Sequence, residues 1–276
     1  MNLPIYQVDA FSDQVLRGNP AAVCPLQEWL PEALMLSIAR ENNLSETAFL
    51  VDGDGKYEIR WFTPACEVPL CGHATLASAM VIREFLEPGC DRVRFQSASG
   101  PLGVSHEGGW YELDFPADPG VEIAATPELV KSLGCEPIEA RLANYYFAVF
   151  ESAQQLLDLQ PDFACMARLD RTGVIVTAPG DDIDFVSRFF APQAGIDADP
   201  VTGSAHCTLT PYWSARLGKN HLEARQISAR GGFLKCTMSG DRVGIAGQAA
   251  GYMQGEIRVP DNEPESVGDQ VVAAGV

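Results

Sequence analysis

Five side chains in this sequence combine the chemistry and the setting for proton transfer: Glu46, Cys71, His73, Asp199 and Ser204. Glu46 opens the apolar and small run Thr47-Ala48-Phe49-Leu50, directly after the polar turn Asn43-Leu44-Ser45. A carboxyl at the mouth of an apolar strand loses hydration, which raises its pKa toward neutrality and suits a general acid/base. A solvated glutamate at a strand end is the plainer reading of the same position. His73 follows Gly72 in the first turn of an apolar helical stretch. The positive end of a helix disfavours imidazolium, so a neutral ring that donates or relays a proton is expected. The alternative is a histidine that only satisfies nearby backbone. Asp199 and Ser204 flank Pro200-Val201-Thr202-Gly203. Asp199 can orient a histidine or a substrate ammonium, and Ser204 can hydrogen-bond a carboxylate. Both residue types also favour helix capping. Cys71 stands beside a helix start, a setting that lowers a thiol pKa. Cys66, Cys71, His73, His206 and Cys207 form no C-x-x-C and no H-x-x-x-H pattern, so no metal site is expected.

The elements that must hold these groups are written twice. Arg60-Trp61-Phe62-Thr63-Pro64 precedes Cys71-Gly72-His73-Ala74, and Arg188-Phe189-Phe190-Ala191-Pro192 precedes Thr202-Gly203-Ser204-Ala205-His206. Each copy reads as an aromatic strand ending at a proline, a loop, a glycine and a largely apolar helix. Two similar lobes follow from such a repeat. Each points the free N–H groups of a helix start at the boundary, which suits a carboxylate bound near Gly72 and Gly203. The position matching Cys71 falls near Val201, where no cysteine occurs. Helices are expected over Pro31–Glu41, Ala74–Phe85 and Ala205–Leu217, among antiparallel hairpins such as Thr47–Thr63 around Asp52-Gly53-Asp54-Gly55. The turn formers Pro116-Ala117-Asp118-Pro119-Gly120 mark the boundary. The N-terminal lobe is therefore expected over residues 1–116, completed by the C-terminal segment 260–276, and the C-terminal lobe over 121–259. The class is α+β, each lobe wrapping antiparallel strands around a central helix.

A chain of 276 residues suffices for two such cores. Its net charge of -18 argues against nucleic acid or an anionic membrane as partner. No apolar run approaches a membrane span, and no signal peptide opens the sequence. With no export signal, the eight cysteines read as reduced thiols of a cytoplasmic protein. No Walker sequence and no strand-linked Gly-x-Gly-x-x-Gly supports a nucleotide cofactor.

The segments Val8-Asp9-Ala10-Phe11, Gly18-Asn19-Pro20-Ala21-Ala22-Val23, Ser45-Glu46-Thr47-Ala48-Phe49 and Arg60-Trp61-Phe62-Thr63-Pro64 stand in sequence with Pro69-Leu70-Cys71-Gly72-His73-Ala74-Thr75, Asp199-Pro200-Val201-Thr202-Gly203-Ser204-Ala205 and Arg230-Gly231-Gly232. With these motifs, over nearly its whole length, the chain resembles the PhzF family of phenazine-biosynthesis isomerase-like proteins. The resemblance implies the diaminopimelate epimerase-like fold, an active site in the cleft between the lobes, no cofactor and a homodimer. In the phenazine-making member a glutamate moves a proton on a dihydro-hydroxyanthranilate ring. By motif that glutamate falls on Glu46, and the pocket histidine, aspartate and serine fall on His73, Asp199 and Ser204. The related epimerases use two cysteines, whereas here only Cys71 remains. The expected activity is a cofactor-independent isomerisation of a small carboxylic acid by Glu46, His73 and Asp199. Gly72, Gly203, Ser204 and Cys71 would line the substrate. A non-catalytic binder of an acidic metabolite and a Cys71-dependent thiol enzyme are the alternatives.

Overall fold

The computed structural model describes residues 1–260 of the chain; the segment expected to complete the N-terminal lobe lies outside the described residues from 261 onward. Two runs of elements follow each other. The first is β1 (Asn2–Ala10), β2 (Asn19–Leu26), α1 (Glu32–Asn42), β3 (Glu46–Asp52), β4 (Tyr57–Phe62), β5 (Glu67–Val68), α2 (Gly72–Val81), β6 (Arg92–Ser97), β7 (Gly100–Glu107) and β8 (Trp110–Pro116). Next come β9 (Val121–Ile123), α3 (Pro127–Leu133), β10 (Glu139–Leu142), β11 (Tyr146–Val149), α4 (Ala153–Asp158), α5 (Phe163–Met166), β12 (Val174–Pro179), β13 (Phe185–Ala191) and β14 (Ile196–Asp199). The chain continues through α6 (His206–Leu217), β15 (His221–Gln226), β16 (Gly232–Ser239), β17 (Arg242–Gly247) and β18 (Ala249–Arg258).

Strand pairing makes the repeat explicit. In the first run β1–β2 is antiparallel, β2–β3 parallel, β3–β4 antiparallel, β4–β6 parallel, and β6–β7–β8 antiparallel. The path β10–β11–β12–β13–β15–β16–β17 repeats that order of senses step for step. The four parallel steps were not anticipated from hairpin patterns, because each is made across a helix or a long loop. β8 and β17 pair antiparallel and join the two halves. Following the registers outward from Arg60 and Arg188, Leu113 and Ile245 are equivalent, and each is the other's partner. The repeats thus meet about a local two-fold axis. β18, which sequence placed with the C-terminal lobe, pairs along its length with β1. β9 makes the matching pair with β10.

Each run surrounds one helix. In α2 every residue except Gly72 and Met80 is buried, as expected of a helix apolar on all sides. It continues into one π-helical turn, Ile82–Leu86, rather than running as regular helix to Phe85. α6 carries Pro211, which cannot donate to the Cys207 carbonyl one turn back. That carbonyl instead accepts the Asp118 N–H at 2.9 Å, so the inter-repeat linker satisfies the gap. One core spans both runs, with Trp61, Leu76 and Phe95 from the first and Phe185, Leu209 and Trp213 from the second. Trp213 stacks flat on Phe185 at 5.6 Å. Smaller clusters sit under α1 and under α3–α5. Among the described residues no helix is long and apolar enough to cross a membrane.

Candidate active site

The starts of α2 and α6 meet at the two-fold axis. A β-carbon on Gly72 would lie 3.8 Å from the Gly203 Cα, so the two glycines stand within van der Waals range of each other. Beside them lies a cavity of about 200 Å³. Its lining brings together all seven residues singled out from sequence: Glu46, Cys71, Gly72 and His73 from one repeat, Asp199, Gly203 and Ser204 from the other. Tyr145 and Phe189 also line it.

Glu46 is the first residue of β3, and its side chain is 13% exposed. Burial is the main reason its pKa rises to about 8, with the nearby Asp199 charge adding to the rise and a hydrogen bond from Cys71 opposing it. Burial also lowers His73 to about 3, so the ring is neutral, as expected. Glu46 Oε2 and His73 Nε2 are 3.3 Å apart. Neither atom makes a hydrogen bond of good geometry to any protein group among the described residues. Both atoms line the cavity and keep their hydrogen-bonding capacity unspent on the rest of the described protein.

Asp199, at the end of β14, is raised to about 6 by burial, against hydrogen bonds from Thr202 and Asn19. Its Oδ2 accepts the Thr202 hydroxyl and its Oδ1 accepts Asn19 Nδ2 at 3.0 Å. Ser204 Oγ lies 3.2 Å from the Tyr145 hydroxyl. Neither Asp199 nor Ser204 caps α6, whose N-cap is Ala205 without a side-chain bond. Cys71 is the N-cap of α2, yet its thiol is held well above 9, chiefly by burial and next by the Glu46 charge. The acidification expected from the helix start is therefore overridden: desolvation and a neighbouring carboxylate outweigh a partial positive charge.

The repeat alignment from structure moves one assignment. Cys71 precedes Gly72 as Thr202 precedes Gly203, so Thr202, not Val201, is its counterpart; the conclusion that no second cysteine faces the site is unchanged. The registers of β3–β4 and β12–β13 likewise make Gly173 the counterpart of Glu46. A β-carbon at Gly173 would run into the Phe189 ring and crowd Tyr145. One wall of the cavity thus carries a carboxyl and the equivalent wall carries aromatics, with Tyr145 edge-on to Phe189 at 4.9 Å.

Sequence reasoning passed over Asn19, Tyr145, Thr202 and Gln226. Gln226 accepts the Thr202 N–H at 2.9 Å and donates to the Asp199 carbonyl at 2.9 Å, fixing the turn between them. Asn19 is positioned by the Val8–Phe11 and Arg230-Gly231-Gly232 motifs acting together. Arg230 binds buried Asp9 at 2.7 Å and the Gly18 carbonyl at 2.8 Å, and Gly18 N–H donates to Gly231. Its signal in the sequence was a polar residue heading the small apolar run Pro20-Ala21-Ala22-Val23.

Glu46, Cys71 and His73 offer ligand atoms all within 4.8 Å of one another, a trio that sequence spacing did not reveal. Coordination would require the Cys71 thiol, held well above 9 chiefly by burial, to lose its proton as the metal bound. All eight cysteines are unpaired.

A family profile described as phenazine biosynthesis-like protein, PhzC-PhzF, matches residues 8–255. A Pseudomonas aeruginosa protein named as an uncharacterized isomerase is 49% identical, covering 94% of this chain and 100% of its own. A human phenazine biosynthesis-like domain-containing protein is 38% identical over 93% of this chain and 99% of its own. The crystal structure of a PhzF-family protein from Enterococcus faecalis superposes with a TM-score of 0.91 at 47% identity, over 94% of this chain and 100% of that one. A hydroxyproline epimerase from Agrobacterium vitis shares the fold at 13% identity, with a TM-score of 0.60 over 93% of this chain and 92% of that one. The fold is thus diaminopimelate epimerase-like, and with its relatives it defines an enzyme of the isomerase class. The chain belongs to the PhzC-PhzF family of phenazine biosynthesis-like proteins.

Proposed function

We propose that this enzyme isomerises a small carboxylic acid without a cofactor, with Glu46 as the single acid/base. The observation that carries the reading is the pair of unpartnered atoms, Glu46 Oε2 and His73 Nε2, facing each other at 3.3 Å in the cavity. Glu46, held at about 8, can take a proton from a carbon near the substrate carboxylate and return it elsewhere near neutral pH. His73 supplies a neutral donor beside it, and Asp199 holds the second repeat's turn. The N–H groups at Gly72 and Gly203, with the Ser204 hydroxyl, form the carboxylate seat. A cavity of about 200 Å³ falls below the ~300 Å³ lower end of common ligand pockets, which favours a single-ring acid of the dihydro-hydroxyanthranilate kind. Thr202 at the place of a second thiol supports one-base isomerisation over two-base epimerisation.

The site is a cleft between two lobes of a cytoplasmic homodimer, and sedimentation tests the dimer. The reaction is tested by proton NMR in heavy water on a panel of small carboxylic acids, beginning with trans-2,3-dihydro-3-hydroxyanthranilate. Isomerisation or solvent exchange that disappears in Glu46→Gln supports the reading. Exchange that survives moves the base elsewhere, and binding without exchange across the panel favours a metabolite binder.

A further inference from the structure

Asn19 is fully buried and its amide nitrogen touches three groups that bear on the site. Nδ2 lies 2.9 Å from the Val201 carbonyl, 3.0 Å from Asp199 Oδ1 and 3.3 Å from His73 Nδ1. A carbonyl and a carboxylate oxygen only accept hydrogen bonds when the acid is ionised, so the NH₂ end of the amide must face them. Turning the amide over would set its oxygen against those two oxygens and leave the NH₂ where Oδ1 now stands without a partner. The orientation is therefore fixed by the second repeat, before His73 is considered.

Nδ2 has two hydrogens for three neighbours, so the longest contact, to His73 Nδ1, is a shared one: the amide turns the positive edge of its NH₂ toward that ring nitrogen, which favours a lone pair there. Were Nδ1 to carry the ring hydrogen, two donors would face each other at 3.3 Å, and the acceptor left for it among the described residues would be the Cys71 sulfur at 3.5 Å, a weak one. With Nδ1 bare, the amide can donate to it, as can the Cys71 thiol when its one hydrogen is not turned to Glu46. The ring hydrogen then sits on Nε2, the atom that faces Glu46 Oε2.

We propose that Asn19 is a positioning residue: it carries the geometry of the Asp199 turn across the repeat boundary and holds His73 as the neutral Nε2–H tautomer directed at Glu46. The ring hydrogen of His73 is then the one aimed at Glu46 Oε2, 3.3 Å away, and Nε2 cannot take that carboxyl's proton. His206 supplies an internal contrast. Its Nδ1 lies 2.9 Å from the Thr202 carbonyl, which can only accept, so His206 must be the opposite Nδ1–H tautomer.

The test is long-range ¹H–¹⁵N correlation NMR of histidine-labelled protein at pH 7, which distinguishes pyrrole-type from pyridine-type ring nitrogens. His73→Gln assigns the His73 signals. The wild type is expected to show Nε2–H for His73 and Nδ1–H for His206. An Nδ1–H tautomer at His73 in the wild type overturns the proposal. In Asn19→Asp an oxygen replaces the donor, and the hydrogen is expected to appear on His73 Nδ1; in Asn19→Ala the two tautomers are expected to mix. A folded variant of either kind that keeps pure Nε2–H also overturns it. The tautomer is read without substrate, so this result stands or falls separately from the proposed reaction.

Discussion

Cys71 and Thr202 hold the same place in the two repeats. Cys71 precedes Gly72, the first residue of α2, and Thr202 precedes Gly203 in the turn that leads into α6; each carbonyl accepts a side-chain bond from four residues on, from Thr75 Oγ1 at 2.5 Å and from His206 Nδ1 at 2.9 Å. Their side chains diverge in use. The thiol neighbours Glu46, while the hydroxyl donates to Asp199. A symmetric scaffold therefore carries an asymmetric site, with one titrating carboxyl on the first repeat and a locked turn on the second.

Glu46→Gln keeps the shape of the side chain and removes its proton chemistry. Turnover is expected to fall by at least ~10²-fold, the usual contribution of a general acid/base, with the circular dichroism spectrum unchanged. Retention of more than a few per cent of activity in the NMR assay would sink the acid/base role.

The same substitution should stabilise the protein in a pH-dependent way. The folded chain holds the Glu46 proton up to about pH 8, whereas the ordinary value is 4.5. Below 4.5 both states are protonated and no penalty exists. Between 4.5 and 8 the unfolded chain ionises freely while the fold resists, and above 8 the penalty is constant. Every tenfold tightening of the proton by the fold corresponds to about 1.4 kcal/mol. Melting curves should coincide near pH 4 and separate up to pH 8, Glu46→Gln being the more stable. A gap that does not widen with pH refutes the assignment.

If Glu46 works first as a base, kcat/KM should climb through about pH 8 and level off above it. A profile that instead declines through that value would assign the carboxylic acid as the form that begins the cycle.

Cys71→Ser should keep most of its turnover, and the wild-type thiol should resist alkylation at neutral pH, because burial and Glu46 keep it protonated. Complete inactivation of Cys71→Ser, or one zinc per chain by elemental analysis, would restore the thiol and metal readings.

Gly173→Ala puts a methyl group into the space held by Phe189 and Tyr145. Overpacking of this kind costs about 1–3 kcal/mol. A lowered Tm together with weakened substrate binding is expected; an unchanged Tm would mean that the aromatic wall yields without cost.

Much of the site was legible because its residues sit in short contiguous motifs next to turn-forming glycines. Glu46 was readable as the lone carboxyl heading an apolar strand, and His73 as a ring on a buried helix start. Asn19 was not, because its meaning lies in bonds to Asp199 and Val201, some 180 residues away. The Gly173 counterpart of Glu46 appears only through strand registers. Helices α3, α4 and α5 span four to seven residues, too short for an apolar period to show. The thiol of Cys71 departs from its sequence expectation because a helix start is visible in sequence and desolvation is not.

The β1–β18 pair sets an order of events for a chain made from its N-terminus. β1 is synthesised before the other strands described, yet its neighbour on one side is residues 249–258, among the last of the described chain. Until those residues emerge, β1 presents an open strand edge, and contacts of such long sequence separation form slowly. The first repeat therefore cannot mature as an independent unit while the second is being made. A halted chain ending at Pro116 would expose two sticky edges, those of β1 and β8, and would be a target for chaperones rather than half an enzyme.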